Sequence, residues 1–575
     1  MINEFDVVVV GGGIAGLYTA LTATEQQCHV AVVSKVHVVR SHSVAAQGGI
    51  AASLGNEEED HWEWHMYDTI KGSDYLADQD AVEILAKEAP QAIIALENMG
   101  VPFTRNMQGK IEQRRFGGHT RNYGEAPVKR ACYVSDRTGR AIMDTLYDRC
   151  QTIGVDFFNE VFILKLLFSG EHCCGVAGYD IASCKPEVFH AKAVVLATGG
   201  SGKIFKTTSN GFASTADGFA IAMDSLIPIE DMEFIQFHPT GIYGLGILIS
   251  EAARAEGGVL RNGSGERFME RYAPTLKDLA PRDIISRAIL NEIKEGRGVE
   301  SKDFVHLDLT QIGKERLIEK LPEISSFVET YLGIDPSEKL IPVAPTCHYM
   351  MGGIPTDHKG RVLSGKTETA VPGLFAVGEC ACVSVHGANR LGCNSLIDLV
   401  VFGSRTGISV VKHAEEKELL SLPPHAENIV INKVNSLLSS NGNERSPVLR
   451  AAMQCVMTEK CSVFRNGDEL EQTLDQICQL EKRMRNIGLE NKGKVFNYEL
   501  QEALELENML KTARAIVFSA LQRKESRGSH YRNDFPERND QEEPRHSLVN
   551  LTPKALKVTY KPVFITRFTP EKRRY

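Results

Sequence analysis

Five short stretches of the chain concentrate side chains that grip anions or move protons, each in apolar or glycine-rich surroundings. They are Glu233-Phe234-Ile235-Gln236-Phe237-His238-Pro239-Thr240-Gly241, Ile249-Ser250-Glu251-Ala252-Ala253-Arg254, Ala280-Pro281-Arg282-Asp283, Pro345-Thr346-Cys347-His348-Tyr349-Met350-Met351-Gly352-Gly353 and His386-Gly387-Ala388-Asn389-Arg390-Leu391-Gly392-Cys393-Asn394-Ser395-Leu396. The donors His238, Arg282, His348 and Arg390, with the Ser250 hydroxyl, suit a small substrate carrying carboxylates at both ends. Arginine grips a carboxylate through two parallel hydrogen bonds, and each such charge-assisted contact contributes about 1.5–3 kcal/mol. A sixth stretch, Arg40-Ser41-His42-Ser43-Val44-Ala45-Ala46-Gln47-Gly48-Gly49-Ile50, sets one imidazole among small residues and glycines, where a planar ring could pack against backbone. A proline-flanked histidine in a turn is usually structural; five such segments bracketing one region point to a cleft between two units.

The elements that must hold these residues begin at Phe5-Asp6-Val7-Val8-Val9-Val10, a β-branched run of the kind found in buried parallel strands. Gly11-Gly12-Gly13-Ile14-Ala15-Gly16 follows, then a helical pattern from Leu17. Strand, G-x-G-x-x-G and helix in that order is the context in which the glycines admit a pyrophosphate at the helix N-terminus. The second strand, His29–Val33, ends in Ser34-Lys35 rather than the acid common in NAD sites. Ala193–Ala197 runs into Thr198-Gly199-Gly200, a turn that recurs in two-dinucleotide-fold flavoproteins, and Gly373–Val377 leads into Gly378-Glu379. The residues alone therefore support an anionic substrate beside a flavin.

The expected fold is α/β: a Rossmann-like, two-dinucleotide-fold FAD-binding domain, discontinuous over 1–232 and 347–415, with an inserted α+β capping domain at 233–346. A helical domain over 416–540 follows, where glycine thins and charge is dense, as in Glu469–Leu474 and Glu502–Leu510. Residues 522–546 read as a polar loop or docking surface. The C-terminal segment, 541–575, holds a strand-like stretch at Leu556–Val563 and ends in a solvated basic run, Glu571-Lys572-Arg573-Arg574-Tyr575.

A chain of 575 residues suggests roughly three to four structural units. A formal net charge of −9 offers no basic footprint for nucleic acid. No run approaches the ~18 apolar residues of a membrane-spanning helix. The chain passes almost directly from Met1 into its first strand, so no signal or transit segment is expected. The 13 cysteines include no Cys-x-x-Cys, so the chain shows no iron–sulfur or zinc spacing of its own, and a flavin here needs an external electron outlet.

The Ser41-His42-Ser43 stretch, Phe237-His238-Pro239-Thr240-Gly241 and His386-Gly387-Ala388-Asn389-Arg390-Leu391-Gly392 closely resemble the flavoprotein subunits of succinate dehydrogenase and quinol:fumarate reductase. The resemblance extends from the first glycine loop to Glu525-Ser526-Arg527-Gly528-Ser529-His530. It implies FAD attached covalently through His42, with Gly11, Gly12, Gly13, Ile14, Ala15, Gly16, Ser34, Lys35, Ser41, Ser43, Gln47, Gly48, Gly49, Asp217, Glu379, Ser395 and Leu396 around the cofactor. It implies that His238, Ser250, His348 and Arg390 hold a dicarboxylate. Arg282 would shuttle the proton, and Glu251 and Arg254, at i and i+3 on a helical face, would relay it to solvent.

The implied reaction is oxidation of succinate to fumarate, with an iron–sulfur subunit and a membrane anchor carrying the quinone site as partners. The implied location is peripheral, through those partners, on the cytoplasmic face of a bacterial inner membrane. Two positions depart from the family pattern: Cys393, where relatives usually carry glycine or serine, and Ser250, where many carry threonine. Three other readings remain. The same site run in reverse is a fumarate reductase, although neutral Gln47, where some fumarate reductases carry glutamate, leans toward succinate oxidation. L-aspartate oxidase shares the clamp but binds FAD without a tether, and a non-catalytic flavin scaffold would have lost His238, Arg282 or Arg390.

Overall fold

The computed structural model of the protein describes residues 2–364, 368–551 and 555–573. Its central sheet runs in the order Arg361–Ser364, Thr369–Ala376, Pro186–Leu196, Ile2–Val10, Val30–Ser34 and Asp156–Asn159. All of these pairings are parallel except the first. Val7, Val8 and Val9 are fully buried, because helices or a further β layer cover both faces. That explains a valine run without polar alternation. The helix Ile14–Glu25 packs along the helix Asn394–Glu416, and Gly407 allows the approach: a Cβ there would lie 2.5 Å from Thr22 Cβ. The strands are longer than their sequence signals or displaced by a residue, as at Val30–Ser34, since backbone pairing continues past the apolar run.

A second, antiparallel sheet is ordered Ile235–Ile242, Ile341–Met350, Val305–Asp308, Val259–Arg261. The helix Arg282–Lys294 lies on it, burying Ile285 and Ile289 with Leu307 and Val343. Four helices follow, Ala426–Ser439, Ser446–Lys460, Gly467–Met484 and Tyr498–Gln522. The third shows why they form: Asn466 caps it by accepting the Asp468 N–H, and Leu470, Ile477, Leu480 and Met484 make one buried stripe. Each such side chain contributes roughly 1.5–3 kcal/mol of burial. The C-terminal hairpin, Arg545–Leu551 with Leu556–Pro562, pairs back onto Ile229–Glu230. Among the described residues no helix is long and apolar enough to cross a membrane.

Two expectations about the C-terminal third are corrected. The first part of 522–546 is interior: Arg527, His530 and Arg532 are buried, and Arg527 is forked onto Glu525 through Nε at 3.1 Å and Nη2 at 3.0 Å. The basic end is not simply solvated either. Arg573 pairs with Asp283 at 2.8 Å and Asp74 at 3.2 Å, while Arg574 and Tyr575 lie outside the described residues.

Candidate active site

One cavity enclosing about 1610 Å³, part of it open to solvent, runs between the central sheet and the second sheet. Its first wall is the glycine turn. Gly11 has φ +118°, and a Cβ there would lie 2.1 Å from Ala197 O, so only glycine lets the first strand's turn pass the turn after Pro186–Leu196. Gly12, Gly13, Ile14 and Ala15 line the cavity at the N-terminus of the first helix, and Ile14 N–H donates to Ser43 Oγ at 3.2 Å. Gly16 does not line it: a Cβ there would lie 2.1 Å from Gly11 O, so this glycine serves the packing of helix on turn. Ser34, Lys35 and Asp217 form the wall beyond the second strand.

Ser41, His42, Ser43, Gln47, Gly48 and Gly49 line the middle. The His42 imidazole is pushed down to about 4, first by burial and then by the Lys203 charge, so it is neutral and keeps a lone pair. Gly211 N–H donates to its Nδ1 at 3.2 Å. Glu379, Ser395 and Leu396 close the far end, the last two in the first turn of Asn394–Glu416, where helix N–H groups favour negative charge. Burial pushes the Glu379 carboxyl up to about 7. Cys393 precedes that helix at φ +64°, a left-handed conformation that suits glycine better.

The second sheet supplies the other side. His238 lies on Ile235–Ile242 and His348 on the paired strand Ile341–Met350, which brings their ring centroids to 5.1 Å. Both imidazoles lie well below their ordinary pKa, through burial first and the Arg282 charge second. Thr240 N–H donates to His238 Nδ1 at 3.3 Å, while His238 Nε2 is buried with no partner among the described residues. That tautomer presents an N–H to an acceptor that must come from outside the chain. Arg390 Nε is in the same condition. Its guanidinium stacks 4.6 Å from the Tyr349 ring, and burial followed by the Arg282 charge holds its pKa down at about 9. Ser250 donates its N–H to Gln47 Oε1 at 3.2 Å, joining the two sides of the cavity.

Arg282 opens its helix at the cavity wall and donates through Nε to Glu251 Oε2 at 3.1 Å. Glu251 and Arg254 do not line the cavity; they lie behind Arg282, with Arg254 Nη2 3.8 Å from Glu251 Oε2. The Arg254 side chain is fully buried, so it does not itself reach solvent. Its Nη1 donates to the Asp278 carbonyl, and the Asp278 carboxylate meets the part-exposed Arg267 at 2.7 Å.

One functional residue was in view in the sequence but given no role. Gln236 Oε1 accepts from Arg282 Nη1 at 2.8 Å and from Arg390 Nη2 at 3.0 Å, so one amide oxygen sets the spacing of both arginines. Its Nε2 donates to Arg390 O at 2.7 Å and Asn389 Oδ1 at 3.0 Å. Its place two residues before His238, on the same face of a strand, was the available signal.

The geometry fits a dinucleotide flavin and an anion: a glycine turn at a helix N-terminus, a neutral histidine, a second helix N-terminus, and orphaned donors with no acid beside them. The chain matches the FAD binding domain family over residues 6–396 and the fumarate reductase flavoprotein C-terminal family over 450–575. It is 47% identical over 579 residues to the succinate dehydrogenase flavoprotein subunit of Rickettsia conorii, covering 99% of this chain and 97% of that one. It is 40% identical over 597 residues to the fumarate reductase flavoprotein subunit of Mycobacterium tuberculosis, covering 100% of both. Its structure resembles that of a point mutant of the Escherichia coli quinol fumarate reductase flavoprotein with a TM-score of 0.92 at 35% identity, over 100% of this chain and 99% of that one.

Proposed function

The chain belongs to the flavoprotein family of succinate dehydrogenases and fumarate reductases, and from that premise we propose that it oxidises succinate to fumarate as the FAD-bearing subunit of a succinate:quinone oxidoreductase. The observation that carries the reading is the gathering of Arg282, Arg390, His238, His348 and Ser250 on one cavity with His42, with two donors there lacking any partner.

In this reading His238, Ser250, His348 and Arg390 take the two carboxylates and fix the central carbons, and prior alignment of donors lowers the barrier to reaction. FAD, when bound, supplies the hydride acceptor. Arg282 is placed to take the substrate proton as it gives one up toward Glu251, whose Oε2 accepts its Nε–H at 3.1 Å. Arginine therefore never persists as a free base, which its intrinsic basicity would forbid. Arg254, Asp278 and Arg267 continue that line toward solvent. The tether is His42: Gly211 N–H engages Nδ1 at 3.2 Å, and Nε2, 3.3 Å from the Asn210 side-chain amide, is the nitrogen turned to the bond in this reading. A histidyl bond there would raise the flavin potential toward that of succinate.

Electrons leave to an iron–sulfur subunit, and a membrane anchor with the quinone site places the chain peripherally on the cytoplasmic face of a bacterial inner membrane. Gln47 supports the oxidative direction: a neutral amide lining the cavity, held by Ser250 N–H, would not oppose negative charge on a reduced cofactor as a carboxylate would. Intact mass after acid denaturation, with peptide mapping, tests the proposal. FAD on the peptide containing His42 is expected; an unmodified chain purified from its native host overturns the tether and moves an untethered amino-acid oxidase reading to the front.

A further inference from the structure

In nucleotide folds of this topology the residue after the second strand faces the adenosine ribose and is commonly an acid. Here it is a cation, Lys35, and it is turned inward. Lys35 Nζ meets Thr215 Oγ1 at 2.5 Å, Asp217 Oδ2 at 2.7 Å and Glu505 Oε1 at 2.9 Å. Asp217 Oδ1, in turn, accepts from Asn508 Nδ2 at 3.0 Å. Glu505 and Asn508 lie at i and i+3 on the helix Tyr498–Gln522, so one helical face reaches both members of the Lys35–Asp217 pair. Gln501 and Arg450 fix Glu505 from its other sides, at 3.0 Å and 3.7 Å. Lys35 and Asp217 line the cavity; Glu505 and Asn508 stand behind them.

Burial would lower the Lys35 ammonium, but the two carboxylates raise it above its ordinary value. A buried ammonium is a compact point charge that collapses onto its nearest acid. With Asp217 as the sole partner, that acid would be consumed by Lys35 and lost as an acceptor for ribose hydroxyls. Glu505 draws Lys35 back, and Asn508 fixes the rotation of the Asp217 carboxylate.

We propose that Glu505 and Asn508 are positioning residues for FAD, holding Lys35 and Asp217 so that this pair recognises the adenosine ribose. The helical unit thereby closes the adenosine end of the cofactor site, and cofactor binding and docking of the helix 498–522 are linked reciprocally. The inference rests on the assignment of the cavity to FAD, and on neither the substrate nor the direction of reaction.

The test uses the full chain carrying His42→Ala, in which flavin binding is reversible. Affinities for FAD and for FMN, which has no adenosine, are measured by fluorescence quenching with and without Glu505→Gln or Asn508→Ala. Glu505→Gln is expected to weaken FAD about ten- to hundredfold and FMN less than about threefold, and Asn508→Ala to act in the same direction. FAD is expected to protect the amides of 498–522 from hydrogen exchange in the parent but not in Glu505→Gln. Equal losses for the two flavins, or unchanged FAD affinity, overturn the inference while leaving the flavin site standing. Failure of the parent to bind either flavin overturns both.

Discussion

Gln236→Leu isolates what holds the two active-site arginines in register. The side chain is fully buried and its oxygen accepts from both guanidinium groups, at 2.8 Å and 3.0 Å. Leucine fills nearly the same volume and removes two charge-assisted acceptors, each contributing about 1.5–3 kcal/mol. Succinate recovers part of that loss at Arg390, because its carboxylate supplies a new acceptor there. It recovers little at Arg282, whose placement matters at the carbon rather than the carboxylate. A net cost of about 3 kcal/mol follows, or a fall in kcat/KM of roughly 150-fold, carried mainly by kcat. Gln236→Glu is the informative control: it satisfies both arginines but places a negative charge among them, so KM rises by about tenfold or more while kcat is held better. The assay is steady-state succinate oxidation with a soluble dye acceptor, normalised to covalently bound flavin, which reports folding and loading independently. A Gln236→Leu enzyme fully flavinylated and within threefold of the parent would refute the reasoning, because the arginines would then be positioned by something else.

Glu251→Gln keeps a hydrogen-bond acceptor for Arg282 Nε but cannot take its proton, so kcat is expected to fall about 100-fold with little change in KM; equal kinetics would remove Glu251 from the relay. His546 is buried against Asp231 at 2.6 Å and Asp78 at 3.3 Å, near Glu230 and Lys561; burial would lower its pKa, but the two aspartates raise it to about 10. Its contribution is therefore full below its unfolded value near 6.5 and is lost as pH rises toward 10, whereas Asp231 and Asp78, held low, lose theirs only below about 4. The parent's Tm should fall more steeply between pH 7 and 10 than that of His546→Gln, and parallel curves would sink the assignment. At Cys393, glycine relieves about 1–2 kcal/mol of left-handed strain but gives back a similar amount in chain entropy and lost burial, so urea unfolding of Cys393→Gly should lie within about 1 kcal/mol of the parent. Cys393→Val, branched at Cβ in the same conformation, should lose about 2 kcal/mol or more.

What was legible in the sequence was whatever local geometry forces on residue type. The turn at Gly11 admits no Cβ, and the first strand is apolar on both faces, so both are visible in a dozen residues. His238 and Arg390 announce themselves because imidazole and guanidinium in apolar strands and glycine loops are costly unless used. Gln236 carries no charge and stands inside the same strand, and only the return of Arg282 and Arg390 to one point gives its amide a task. Glu505 was hidden for the opposite reason. In a helix dense with charge nothing set it apart, yet it is 6% exposed and pairs with Lys35, far off in sequence. Arg573 failed likewise, since a basic run shows no sign of Asp74 and Asp283 arriving from elsewhere, and Arg527 because a fork onto nearby Glu525 reads from sequence as a surface pair.

Those mispredictions share a physical cause that also explains how the site is recognised. Burying a guanidinium is tolerable when acids surround it: Arg130 meets that condition between Asp60 and Asp68, Arg523 between Glu233 and Glu525, and the half-buried Arg573 between Asp74 and Asp283. Arg390 does not. Its hydrogen-bond partners are the neutral Gln236 amide and the Leu391 carbonyl, its Nε has none, and its nearest strong charge is the like charge of Arg282. Arg114 and Arg465 also keep unpartnered guanidinium nitrogens, but neither lines the cavity, so a missing acid is by itself insufficient. The combination decides: a buried cation, Arg390, with no acid against it among the described residues, beside an orphaned His238 Nε2, facing space that a ligand can enter. Electrostatic balance at Arg390 calls for negative charge that the described residues do not supply, at a spacing from Arg282 that one amide oxygen sets. A dicarboxylate answers that requirement, and the same deficit predicts that a monocarboxylate of equal length binds more weakly, by about the 1.5–3 kcal/mol of one missing charge-assisted contact. Competitive inhibition constants for succinate-sized mono- and dicarboxylates measure that difference directly, and near-equal constants would place the second carboxylate outside the cation cluster.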